Sequence, residues 1–114
     1  MPRAIQVVTT APSEADALRI AAALIDRRLA ACVQVSGPLE SHYTWEGKRE
    51  TSQEWLCTIK THANRYAALE RAILELHPYE VPEILATEVA TGNAAYLKWL
   101  DSSVEPGGEA PMTQ

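Results

Sequence analysis

Apolar and polar positions along the chain switch repeatedly between a period near 2 and a period near 3.6, the signatures of strand and helix. Residues 4–10, Ala-Ile-Gln-Val-Val-Thr-Thr, are β-branched, partly alternate and run into Pro12, which predicts a buried first strand. Ser13-Glu14-Ala15-Asp16 then fits a capping box, with Ser13 as N-cap and acids over the positive end of a helix expected at 13–28. Leu18, Ala22, Ile25 and Leu29 form its expected core stripe, with Glu14, Arg19, Asp26 and Arg27 in water. Residues 29–36 read as a second strand, Ala31, Val33 and Val35 opposite Cys32 and Gln34, ended by Gly37-Pro38. Leu39 to Trp45 alternates again, Glu46-Gly47-Lys48 turns the chain, and Arg49 to Thr61 alternates once more. That strand sets Thr51, Gln53, Trp55, Cys57 and Ile59 on one face and Ser52, Glu54, Leu56, Thr58 and Lys60 on the other. A second helix at 63–76 carries Tyr66, Leu69, Ile73 and Leu76 as its stripe and stops at His77-Pro78. Glu83 to Thr91 predicts a last strand, Gly92-Asn93 a turn and cap, and 94–101 a short helix packing Tyr96, Leu97 and Leu100. Ser102 to Gln114, with Pro106-Gly107-Gly108 and Pro111, has little to bury and reads as a disordered tail.

The order is strand, helix, strand, strand, helix, strand, then a terminal helix, which is the split βαβ pattern. It predicts an α+β, ferredoxin-like domain over 1–101, an antiparallel sheet with both helices on one face. The hairpin has a consequence of its own. A strand of about 12 residues spans about 40 Å, whereas a 100-residue domain has a radius of gyration of about 13 Å, so the ribbon overhangs its core unless it bends back. An overhang carrying Tyr43, Trp45 and Trp55 exposes apolar surface and open edges, and pairing with other copies covers both. A homo-oligomer with these three residues at its interface is the expectation.

Composition narrows the picture. Hydrophobic residues at 46% and charged residues at 22% are ordinary for a globular domain. No apolar run reaches the roughly 18 residues of a membrane span, and Met1-Pro2-Arg3 leads directly into the first strand, so the expected address is the cytoplasm. Ten basic against 15 acidic residues give a formal charge of −5, unsuited to nucleic acid. Cys32 and Cys57 are expected as free thiols.

One stretch stands out from this scaffold: His77-Pro78-Tyr79-Glu80-Val81-Pro82-Glu83. Its prolines hold the chain extended between a helix and a strand, where a stiff connection can also present side chains. Together with Ala31-Cys32-Val33, Tyr43-x-Trp45-x-Gly47, Glu54 followed six residues later by Lys60-Thr61, and Tyr96-Leu97-x-Trp99, it resembles the CutA family of divalent-ion tolerance proteins over residues 4–101. The resemblance implies a trimer of ferredoxin-like subunits, similar in architecture to the PII signalling proteins, with the long hairpin reaching onto neighbours. It also implies tolerance to divalent cations, copper binding, and a proposed signalling role; no established reaction comes with it.

Copper or another divalent ion would find ligand types in Cys32, His77, Glu80 and Glu83. His77 to Glu83 covers about 20 Å when extended, against ligand bonds of about 2.0 to 2.3 Å, so these residues share one ion only if the loop folds back. A site assembled across subunits is the alternative, with Cys32, which matches the cysteine of the family's Ala-Cys-Val motif, supplied three times around an axis. Packing is the competing role for Cys32, and capping of the preceding helix for His77. Cys57 reads as core. Glu54 and Lys60 share a strand face and, covered by a neighbour, would form a charged cleft with Trp45 and Tyr79 or Glu80 for a small polar or anionic ligand, or a partner protein. His77 with Glu80 could serve acid–base work, but no nucleophile, phosphate loop or dense metal motif accompanies them, and no catalysis is expected.

Overall fold

A computed structural model of the chain describes residues 3–105. Its elements are β1 (Ala4–Ala11), α1 (Glu14–Asp26), β2 (Cys32–Trp45), β3 (Lys48–His62), α2 (Tyr66–Leu76), β4 (Leu85–Glu88) and α3 (Ala94–Ser103). A 3₁₀ turn at Ala63–Arg65 leads into α2. The sheet is antiparallel throughout in the order β2-β3-β1-β4, the ferredoxin-like arrangement expected from the element order. Ile5, Val7 and Ala11 of β1 and Cys57 and Ile59 of β3 meet Ala17, Ile20 and Leu24 of α1 and Leu69, Ala72 and Ile73 of α2 in one core. Among the described residues no helix is long and apolar enough to cross a membrane.

The punctuation of the chain does what its chemistry dictates. Ser13 Oγ accepts from the Asp16 N–H at 3.1 Å, and Asn93 Oδ1 accepts from the Tyr96 N–H at 2.9 Å, so both caps satisfy amides that a helix start leaves open. Glu46 and Gly47 both take positive φ, 51° and 76°, closing a two-residue hairpin between paired Trp45 and Lys48.

Four expectations need correction. The buried stripe of α1 is Ala17, Ile20 and Leu24; Leu18 is 53% exposed, Ile25 is exposed too, and of the expected stripe Leu29 alone is buried. The alanine-rich helix offers two adjacent stripes of equal period. The one carrying small Ala17 lets the backbone settle on the sheet, close enough for the Cys57 thiol to lie 3.6 Å from the Ala17 carbonyl. Gly37-Pro38 does not end β2 but forms an irregularity, where the register with β3 shifts between Ser36 and Leu39. An edge strand tolerates a residue without a ladder donor, so β2 runs on for 14 residues. β4 is four residues long rather than spanning Glu83 to Thr91, since it has β1 alone to pair with, from Ile5↔Glu88 to Val8↔Leu85. Finally, α3 continues through Ser103, Val104 is buried, and the Arg28 guanidinium donates to the Ser102 and Glu105 carbonyls, so the expected tail does not begin at Ser102. Its remainder, 106–114, lies outside the described residues.

The β2–β3 ribbon dominates the shape. The chain measures 45 × 26 × 23 Å with a radius of gyration of 14.9 Å, longer than a globule of this size requires. Tyr43 and Trp45 are exposed near the ribbon tip. Trp55 is partly buried, packing against the chain's own core under Gly37.

Candidate functional site

The prolines around Tyr79 set the site's frame. His77 leaves α2 with extended angles (φ −77°, ψ 136°), as a residue before proline must, while its N–H still reaches the Ile73 carbonyl at 2.8 Å. Its ring is buried, with Nε2 2.7 Å from the Thr10 carbonyl oxygen and Nδ1 3.0 Å from the Tyr79 backbone nitrogen. A carbonyl only accepts and an amide only donates, so Nε2 carries the proton and Nδ1 is bare. Both ring nitrogens are thus spent on backbone partners. His77 is a clamp between the loop and β1, and in this arrangement neither ring nitrogen is open to a metal ion.

The clamp positions Tyr79, whose ring lies 5.0 Å from that of His77 and whose hydroxyl donates to Glu54 Oε2 at 2.8 Å. Burial, and then the hydrogen bond and charge of Glu54, raise the Tyr79 phenol well above its ordinary range, so it remains a donor at any physiological pH. Glu54 is itself only 7% exposed.

Around this pair the distal half of the ribbon and the 78–83 loop enclose a cleft of about 810 Å³. β2 contributes Tyr43 and Trp45, β3 contributes Glu50 and Glu54, and the loop contributes Tyr79, Glu80 and Glu83. The structure thus brings Glu54, Trp45, Tyr79 and Glu80 together as the sequence suggests, and excludes Lys60. Lys60 sits six residues further along β3, roughly 20 Å of strand, opposite Cys32, with its ammonium on the Gln34 side chain. Without it the cleft is acidic, which argues against the anionic ligand expected there. Glu50 was missed; four residues before Glu54 on an alternating strand, it shares that residue's face, a parity the sequence displays. Thr10, which serves through its carbonyl, leaves no sequence signal.

A family model for the CutA1 divalent ion tolerance protein matches residues 5–103 of this fold. The chain belongs to the CutA1 divalent ion tolerance family. The divalent-cation tolerance protein CutA of Thermus thermophilus is 46% identical over 94 residues, which cover 82% of this chain and 91% of that protein. A Xenopus laevis CutA homolog is 41% identical over 95 residues, covering 83% of this chain, although these span 63% of its own length. The crystal structure of CutA1 from Oryza sativa superposes with a TM-score of 0.89 at 38% identity, over 91% of this chain and 95% of that one.

In this CutA1-family chain the metal candidates stand apart. Cys32 is half-buried at the start of edge strand β2, free of any disulfide and remote from the cleft. Glu80 and Glu83 line the cleft, exposed to solvent. Among the described residues no three His, Cys, Asp or Glu side chains converge as an ion's ligands would. Cys57 is free but fully buried, and burial pushes its thiol up to about 11.

Proposed function

We propose that this chain is a homotrimeric, non-catalytic protein that binds divalent cations, copper among them, in the cytoplasm. The observation carrying this reading is Cys32: a half-exposed soft ligand on a sheet edge, with no second ligand beside it in the same chain. Three copies around an axis supply what one lacks. The protruding ribbon gives such an assembly surface to bury. Two free thiols suit a reducing compartment. A binding rather than catalytic role accords with a His77 whose nitrogens are both engaged and a Cys57 that is protonated at neutral pH. Light scattering should give about three times the 12.5 kDa chain mass. Calorimetric titration with copper should show binding that Cys32→Ser abolishes; equal affinities in the two proteins would remove Cys32 from the site.

The cleft favours a second, compatible reading, a small-molecule site serving a signalling role of the PII type. Its volume of about 810 Å³ falls within the roughly 300 to 1,000 Å³ usual for ligand pockets. A ligand there raises the apparent unfolding temperature, because it binds the native state alone.

A further inference from the structure

The cleft also carries an indication of what it binds. Glu54 is more than nine-tenths buried, yet no Lys, Arg or His pairs with it among the described residues. Tyr79 satisfies Oε2, while Oε1, which makes no hydrogen bond there, is not sealed off and opens on the cleft. A buried carboxylate held by one neutral hydroxyl is costly, and a cation in the facing cavity is the economical remedy. The other carboxylates are spread out: Glu50 lies four residues from Glu54 along β3, roughly 13 Å of strand, and Glu80 and Glu83 stand on the opposing loop. They do not converge, so a compact ion meets one or two of them at a time. Between them the walls include Tyr43, Trp45 and Tyr79, ring faces that attract ammonium groups and pack against methylenes, together with Ser41 and His42, whose Nε2 is 2.6 Å from Glu40 Oε2.

Spaced acids joined by aromatic walls match a molecule of the same pattern, spaced cations joined by methylenes. We infer that the cleft binds a linear aliphatic amine carrying two or more ammonium groups, with one ammonium on Glu54 and the chain lying along Trp45 and Tyr43 toward Glu50. This rests on the second reading above, that the cleft is a ligand site, and names the ligand's class. It reverses the sign expected when Lys60 was placed there.

The test is calorimetry on the full chain with two probes of opposite charge, spermidine and succinate. Spermidine should bind and succinate should not. Glu54→Gln keeps the shape and removes the charge, and should weaken spermidine by about tenfold or more, the scale of a lost charge-assisted contact. Glu80→Gln, at an exposed position that folding does not depend on, should weaken it by a smaller factor. Trp45→Ala should also weaken it. Succinate binding without spermidine would preserve the cleft as a ligand site and overturn the amine. Binding of neither probe would remove both readings, as expected if a neighbouring copy's own lysine or arginine fills the cleft. Spermidine binding unchanged in both glutamate variants, or fully displaced by magnesium at equal charge concentration, would reduce the effect to diffuse charge attraction and overturn the assignment.

Discussion

Tyr79 donates its hydroxyl to a carboxylate that has few other partners, so the two residues should be strongly coupled. Tyr79→Phe keeps the ring and should destabilise the protein by about 1.5 to 3 kcal/mol in urea unfolding at fixed protein concentration, because it strands a buried charge. In Glu54→Gln the same change should cost much less, and additive losses in the double variant would contradict the coupling. Cys57 supplies a pH dependence. Its thiol, ordinarily near 9 and raised by burial to about 11, favours the native state while protonated. That stabilisation is fully present below about 9 and is lost as pH climbs to about 11, on the order of 3 kcal/mol in all. Tyr79, also raised, acts in the same direction at higher pH. Chemical denaturation from pH 8 to 11 should therefore show falling stability, and Cys57→Ala should remove part of that slope. Little of this was visible beforehand: an alternating strand announces which residues share a face, but the depth of Glu54 depends on a loop that arrives 25 residues later.

Individual elements follow the sequence where local chemistry decides, and depart from it where packing does. Ser13, Asn93 and the Glu46-Gly47 turn were legible because each satisfies or bends its own backbone. The phase of α1 was not, since Ala17, Ala21, Ala22 and Ala23 give neither stripe a contrast in size. The observed phase predicts that Ile20→Ala costs about 2 to 5 kcal/mol, while Leu18→Ala, in a monomeric preparation, stays within about 0.5 kcal/mol. Comparable losses at the two sites would restore the expected stripe. The β2 irregularity was hidden for a related reason: glycine and proline mark a break but do not say whether the strand resumes. Gly37 has φ 151°, and a Cβ there would lie 2.7 Å from Trp55 Cδ1. Gly37→Ala should cost about 1 to 3 kcal/mol, and shrinking Trp55 in the same protein should recover part of the loss in thermal unfolding.

For the whole molecule, the reach of the ribbon was legible from strand length alone, and so was the sheet's topology, because the element order leaves few right-handed connections open. The clamp of His77 on β1 and the separation of Lys60 from Glu54 depend on how distant segments meet, which periodicity does not encode. The shortness of β4 bears on more than the outline of the sheet. Its four residues are exposed and bonded on one side to β1, whereas β1 is bonded on both. The amides of such an edge that point away from β1 carry no ladder hydrogen bond and should trade hydrogen for deuterium within the earliest time points, long before Val7 or Thr9. That holds while the outer edge faces water. If another chain lies along it, exchange at those outward amides slows toward that of the central strands and becomes concentration-dependent, so the edge would record assembly residue by residue.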